Sequence, residues 1–238
     1  MQMNTTQNSL FNTSEPSENI ELERVPIKAR ELAVTPCKLE TVRDFIEQNH
    51  YSHSINGVKV SLCFCVTFGG RLVGAALFGA LSTTAWKKFS DSEEKVLELR
   101  RLVLLDEAGK NSESRVVGLC LRYIRKHLNN IDVIVSYADP KHGHNGIIYK
   151  ASNFDFVGLS GRDFGYLDKE TGKVYHSRAL RTKSGGKFKP FVLKLREKLA
   201  RGELEKIELP PKLCFVFFFK KRKPKPHPEE VALLHLKQ

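Results

Sequence analysis

"HGHNGIIYKASNF", residues 142–154, arrives directly after "VSYADP" at 135–140. The residues leading in, "IDVIVSYAD" at 131–139, form a nearly continuous apolar run of strand length, the pattern of a buried strand. Pro140, Gly143 and Gly146 then punctuate the chain, and Ile147, Ile148 and Tyr149 open a helix over "NGIIYKASNF". A buried strand followed by a helix is the repeating unit of an α/β sheet. Its polar connection lies at the carboxyl end of the strand, where such sheets place their crevices. This connection carries two histidines, two glycines and, one turn on, a tyrosine. A helix that only filled a core would not need them.

The alternation repeats outward from this stretch. "ELAVTPCKLE" (31–40) reads as a short strand and turn. "LETVRDFIEQNHY" (39–51) reads as a helix with Leu39, Val42, Phe45 and Ile46 at helical spacing, Thr35 as its cap and Pro36 in its first turn. "VSLCFCVTFGGRLVGAALFGAL" (60–81) is two strands joined by a tight turn at Gly69-Gly70. "KVLELRRLVLLDE" (95–107) is a central strand, and "NSESRVVGLCLRYIRKHL" (111–128) an amphipathic helix. After residue 154, "FDFVGLSGRDFGYLD" and "KVYHSRALRT" form a hairpin around "KETG". A basic helix (188–201) and a last strand (212–219) follow. The expected architecture is an α/β sheet with helices on its faces and a crevice around Arg101 and Tyr137. Residues 1–20, rich in Asn, Ser and Thr, are expected to be disordered. Residues 21–185 form the main domain, and 186–238 add a basic helix, a final strand and a tail to the same domain.

Composition narrows the function classes. No run of about 18 apolar residues exists, so no membrane span is expected. No apolar signal segment opens the polar, acidic N-terminus, which argues for the cytoplasm. The five cysteines include no CxxC and read as free thiols of a reducing compartment; Cys63 and Cys65, two apart on a strand, point into one core. The net charge of +12 favours a polyanionic partner. Basic residues crowd the segment from Arg178 to Lys225, ending in Lys220, Lys221, Arg222 and Lys223. A solubilising face is the alternative to nucleic-acid contact.

The strand–helix–strand–helix order at 96–152 resembles the GNAT acyltransferase fold, a mixed sheet flanked by helices, here with a basic C-terminal extension. "NGIIYKASNF" matches that fold's "A-x-x-(L/I)-Y-x-x-x-G-F" helix at Ile148, Tyr149 and Phe154, with Asn145 and Asn153 in place of the usual alanine and glycine. The resemblance makes Tyr149 the general acid for a departing group. It also assigns the donor's phosphates to "GKNSESR" (109–115), with Asn111, Ser112, Ser114 and Arg115 at a helix start, although the usual glycine-rich loop is missing and Glu113 intrudes. Acyl-CoA is the implied donor, with another acyl or aminoacyl donor as the alternative.

A narrower resemblance covers roughly residues 38–226. "FIEQNHYSH", "ELRRLVL", "KNSESR", "SYADPKHGHNGIIYKASNF", Gly158 and "CFVFFFKKRK" together resemble the phage Mom family. That resemblance implies modification of the N6 amine of adenine to a carbamoylmethyl-bearing form, which protects phage DNA from host restriction. The partner would be double-stranded DNA with a flipped adenine. Asp139 would take the amine proton or orient the amine, and Arg101 would hold an oxyanion or a phosphate. His50 and Tyr51 would close the base pocket, with Ser136, Tyr137 and His144 shaping the crevice. Iron is conceivable on His50, His53, His142 and His144, though their spacing fits no standard zinc motif. Each assignment has a plainer alternative. Tyr149 would be a core ring, Asp139 a turn former, Arg101 the ion-pair partner of Glu98 or Asp106, and Ser114 a first-turn serine. An N-acyltransferase acting on a small molecule or protein amine, and a non-catalytic DNA-binding protein, are the rival readings.

Overall fold

Two neighbouring residues of one strand serve two different cores, and this explains the long apolar runs of the sequence. In the computed structural model, which describes residues 27–81 and 84–220, strand β2 (Val60–Phe68) sends Cys63 and Cys65 to one face and Phe64 and Val66 to the other. On the first face they meet Val42 and Ile46 of helix α1 (Leu39–Asn49). On the second they join Val116, Cys120 and Ile124 of helix α2 (Ser112–His127). A sheet covered on both faces has no need of polar alternation.

The sheet has seven strands. β1 (Ala33–Cys37), β2, β3 (Arg71–Gly79) and β4 (Val96–Leu104) pair antiparallel in that order. β4 then pairs in parallel with β5 (Val133–Ala138), α2 providing the crossover. After the short helix α3 (Ile147–Ala151), β6 (Asp155–Leu159) becomes the far edge. The last strand, β12 (Leu213–Phe218), lies antiparallel between β5 and β6. The expected mixed sheet flanked by helices is the fold observed.

Thr35 and Pro36 depart from expectation. They belong to β1, and α1 begins at Leu39 with Lys38 as its N-cap. Proline has no N–H to give a ladder, but β1 is an edge strand paired only with β2, where that loss is tolerated. Helix α3 is a single turn, ending where Asn153 takes a left-handed conformation at φ 61°.

The larger departure lies between β6 and β12. Residues 160–212 leave the sheet and build a second one, β11-β7-β8, from β7 (Asp163–Asp168), β8 (Val174–His176) and β11 (Leu204–Leu209). Helix α4 (Pro190–Ala200) packs there through Leu195, with Leu180 and Leu204. A two-pair ribbon, β9 (Lys183–Ser184) and β10 (Lys187–Phe188), precedes α4. The expected 173–182 strand shortens to β8, and its second half becomes a 3-10 turn over Ser177–Arg181. The 185/186 division falls on the ribbon's tip. Residues 1–20, Lys221, Arg222 and Lys223 lie outside the described residues. Among the described residues, no helix is long and apolar enough to cross a membrane.

Candidate active site at the parting of two strands

Strands β4 and β5 pair from Val96 opposite Val133 to Leu99 opposite Ser136, and there the ladder stops although both strands continue. At the same level β4 bulges against β3: Leu99 faces Phe78 and Arg101 faces Leu77, leaving Arg100 as the extra residue. A bulge re-aims the side chains around it. The two strands therefore open a wedge edged by Arg100 and Arg101 on one side and by the carboxyl end of β5 on the other.

Tyr149 reaches the point of parting from α3. Its ring is buried, 5.3 Å from Phe215 and 5.6 Å from Phe154. Burial pushes the phenol above its usual range, against an opposing hydrogen bond with Ser136. Ser136 is itself fully buried, its Oγ 3.5 Å from the Leu99 carbonyl. The ring is a core residue while the hydroxyl sits at the wedge, so both readings of Tyr149 hold, each for a different part of the side chain. Gly146, the N-cap of α3 at φ 78°, makes this possible, because a Cβ there would overlap the Phe215 ring. Tyr137 lies on the opposite face of β5 from Ser136. It packs with the Val133, Val135 and Cys214 cluster, where burial and Cys214 push its phenol up.

Arg101 makes neither ion pair of its plainer reading, with Glu98 or with Asp106. Arg100 takes Glu98, at 2.7 Å. Arg101 instead donates from Nε and Nη2 to the Ser54 carbonyl, at 3.2 and 3.0 Å, and from Nη1 to its neighbour's carbonyl. Burial lowers its proton affinity, and the guanidinium clasps the loop that follows α1. That loop carries His50 and Tyr51. His50 is buried, and its Nδ1 accepts from the Ser52 N–H at 3.1 Å, which leaves the ring proton of the neutral form on Nε2. Burial, followed by Arg101 and the neighbouring histidines, lowers His50 to about 4, so it is neutral at physiological pH.

Tyr51, half exposed, gathers three imidazoles. Its ring lies 4.2 Å from His50, 4.4 Å from His142 and 5.2 Å from His144. The loop after α1 and the "HGHNG" connection thus meet across the mouth of the wedge. The rings are turned onto Tyr51, and among the described residues no group of three or more His, Cys, Asp or Glu side chains is placed to hold a metal. The histidines do not fit an iron site.

Asp139 is a turn former and a charge partner together. Its Oδ1 accepts from the Lys141 N–H at 3.1 Å, capping the 3-10 turn Pro140–His142, and its Oδ2 pairs with Lys212 at 3.0 Å. Burial would raise this carboxyl, but Lys212 and the Lys141 amide hold it below the usual range. It is an anion that orients better than it accepts a proton. Lys212 stands 73 residues away, and nothing local in the sequence announces it.

At the start of α2, Asn111 adopts a left-handed conformation and its side chain makes no cap. Ser114 Oγ bonds back to the Asn111 carbonyl at 3.1 Å, the plainer reading of that residue. Ser112 Oγ and Arg115 Nε are buried without a hydrogen-bond partner. Two unsatisfied polar atoms beside first-turn amides, flanked by Lys110, fit an anionic group, with Glu113 as the one opposing charge. Lys220, expected on a DNA face, pairs with Asp132 at 2.8 Å while remaining largely exposed.

The model of the Mom protein family matches residues 31–231, which include every element of the wedge. The chain belongs to the Mom protein family. A curated relative, the methylcarbamoylase Mom of Escherichia phage Mu, is 33% identical over 163 residues, 66% of this chain and 66% of that protein, just under two thirds of its length. Among solved structures, an aminoglycoside acetyltransferase AAC(6')-Ib bound to coenzyme A is similar at TM-score 0.46 and 10% identity, over 79% of this chain and 95% of that one. An IAA acetyltransferase from Bacillus cereus is similar at TM-score 0.47 and 10% identity, over 79% and 99%. In this Mom-family chain Ser136 and Tyr149 meet where the strands part, Arg101 clasps the loop that carries His50 and Tyr51, His144 gathers with them on the Tyr51 ring, and Asp139 caps the turn that leads to these histidines. The helix start at Asn111–Arg115 is a separate flank. Lys212 and the Ser54 carbonyl are parts of the site that the sequence did not announce, while His142 and Gly146 stood out only as a metal candidate and a break in the chain. Lys212 and Ser54 carry no local signal, because each meets its partner only across a long stretch of chain.

Proposed function

We propose that this protein is a DNA-modifying transferase that moves an acyl or carbamoylmethyl-type group onto the N6 amine of adenine in phage DNA. Such a modification would shield the DNA from host restriction. Membership of the Mom family and the phage Mu relative's name support the class of reaction. The observation that carries the site is that the Tyr149 phenol meets Ser136 where β4 and β5 part.

Each residue then has a task. The raised phenol of Tyr149 keeps its proton at neutral pH and gives it to the departing group as the N6–C bond forms and the bond to that group breaks, and the proton shed by the amine returns to the phenolate. Asp139 stays ionised and, with lone pairs left beyond Lys141 and Lys212, accepts an N–H of the adenine amine and orients it. Neutral His50 offers Nε2–H as a fixed donor. Arg101 positions the loop bearing His50 and Tyr51, and Tyr51 offers a ring on which a base turned out of the duplex can stack. Asn111, Ser112, Lys110 and Arg115 would hold the phosphates of an acyl-CoA or related donor, which supplies the activated carbon.

The test is mass spectrometry of nucleosides from DNA of cells expressing the protein. A modified deoxyadenosine absent from control cells is expected. Unmodified DNA from cells holding folded protein would overturn the proposal.

A further inference from the structure

The inserted unit between β6 and β12 is tied to the mouth of the wedge. Its two ends are neighbours in the main sheet, where Leu213 faces both Leu159 and Ala138. Its exit residue, Lys212, is the partner of Asp139. Whatever the unit grips is therefore held beside the candidate active site.

The unit is rich in bases, and its ion pairs among the described residues occupy only some of them; of those left without an ion pair, Lys169, Lys173, Arg178, Lys194, Arg196 and Lys206 are spread over the unit, while four more cluster at one place. Asp168 and Glu170 are taken by Lys198, Glu203 by Arg201, Asp163 by His176 and Glu208 by Arg162. Arg181, Lys183, Lys187 and Lys189 are exposed and form no ion pair among the described residues. All four lie on or beside the β9–β10 ribbon. Its turn is Gly185-Gly186, at φ 57° and 78°, and a Cβ at either position would meet nothing within 4 Å. The tip is bare backbone standing clear of the protein. Its base is fixed by Phe188, with the Lys183 ammonium 4.9 Å and the Arg196 guanidinium 4.6 Å from the ring centre. A two-pair ribbon is too short to be stable by itself, and this anchoring holds it in place.

We propose that the β9–β10 ribbon is a duplex-DNA contact. Lys183, Lys187 and Lys189 meet backbone phosphates, Arg181 supports them, and the Gly-Gly tip lets the main chain approach a groove. A two-stranded ribbon is narrow enough to enter the major groove, and closely spaced phosphates are the partner that answers unopposed bases along a ribbon. An anionic lipid surface is a poorer fit, because the tip carries no apolar side chain and Phe188 is half-buried under Arg196. The proposal rests on the reading of DNA as substrate and adds where the duplex is held.

The experiment measures binding of a fluorescein-labelled DNA duplex to the full chain by anisotropy across a salt series. Parent protein, Lys183→Gln/Lys187→Gln, and a control with the same charge change on α2, Arg122→Gln/Lys126→Gln, are compared after thermal melts confirm that each is folded. Each phosphate contact contributes about 0.9 to the slope of log affinity against log salt, so the ribbon variant should lose about 2 from it while the control keeps it. Equal losses in both variants would mean diffuse charge and overturn the ribbon. So would an unchanged slope in the ribbon variant beside a binding parent, and in that case positive nucleoside mass spectrometry leaves the transferase reading standing. A parent that binds no duplex overturns both. Binding to phosphatidylserine vesicles that is lost in the ribbon variant while duplex binding persists would assign the ribbon to a lipid surface and overturn the proposal.

Discussion

Arg101, on the bulged strand β4, donates from both Nε and Nη2 to one acceptor, the Ser54 carbonyl oxygen, at 3.2 and 3.0 Å. The pair joins the middle of the sheet to a loop 47 residues earlier, and on that loop stand the residues that would close over a base. Arg101→Lys keeps the charge and loses the forked geometry. Hydrogen bonds to charged groups are worth about 1.5–3 kcal/mol, so the variant should melt several degrees lower. Its Ser52–Ile55 amides should exchange faster while those of β2 do not. Unaltered exchange in that loop would show that Arg101 does not position it.

Tyr149→Phe removes one hydroxyl and leaves the packing against Phe154 and Phe215 intact. Stability should change by no more than about 1–2 kcal/mol, the scale of a single hydrogen bond. Modified adenine per genome should fall by roughly 10²-fold or more, the usual scale for loss of a general acid. Parental modification levels in this variant would place Tyr149 in the core alone.

Gly146→Ala tests how Tyr149 is seated. The new methyl would collide with Phe215 and must adopt φ 78°. A left-handed non-glycine residue costs about 1–2 kcal/mol and overpacking adds about 1–3. Chemical denaturation should show a loss within the sum of these ranges. A loss under about 1 kcal/mol would mean that α3 shifts freely, and with it the phenol.

The pH dependence of stability carries the signature of His50. Its pKa in the folded protein, about 4, lies below the ordinary value of 6.5, so the unfolded chain binds the proton first as pH falls. The stability contributed by the neutral ring is complete above about 6.5 and declines as pH drops from there towards 4, on the order of 1.4 kcal/mol for each unit separating the two values. His50→Gln removes this titration, so the parent-minus-variant difference in stability should shrink steadily as pH falls across that window. The measurement is urea denaturation at intervals between those limits. A difference that stays constant through the window would mean that His50 titrates normally.

The residues themselves determined the layers of this protein. Period-2 and near-continuous apolar runs define β2 to β5, helical spacing defines α1 and α2, and Gly69-Gly70 and Gly146 punctuate them, because each of these signals is complete within a few residues. Pro36 misled for the same reason: proline reads locally as a helix start, and only the finished sheet reveals β1 as an edge. The tertiary structure alone decided the site. Where β4 leaves β5, which of Arg100 and Arg101 takes Glu98, and that Lys212 answers Asp139 and Ser54 answers Arg101 are matters of register and of contacts between distant residues. The inserted sheet was hidden likewise. Its strands β7 and β11 lie far apart in the chain, and β11 opens Leu204-Glu205-Lys206, two charged residues in a row that break the period of two, so it resolves into a strand only when β7 is laid beside it. Local periodicity encodes which face of an element is buried; it holds no record of which partner does the burying.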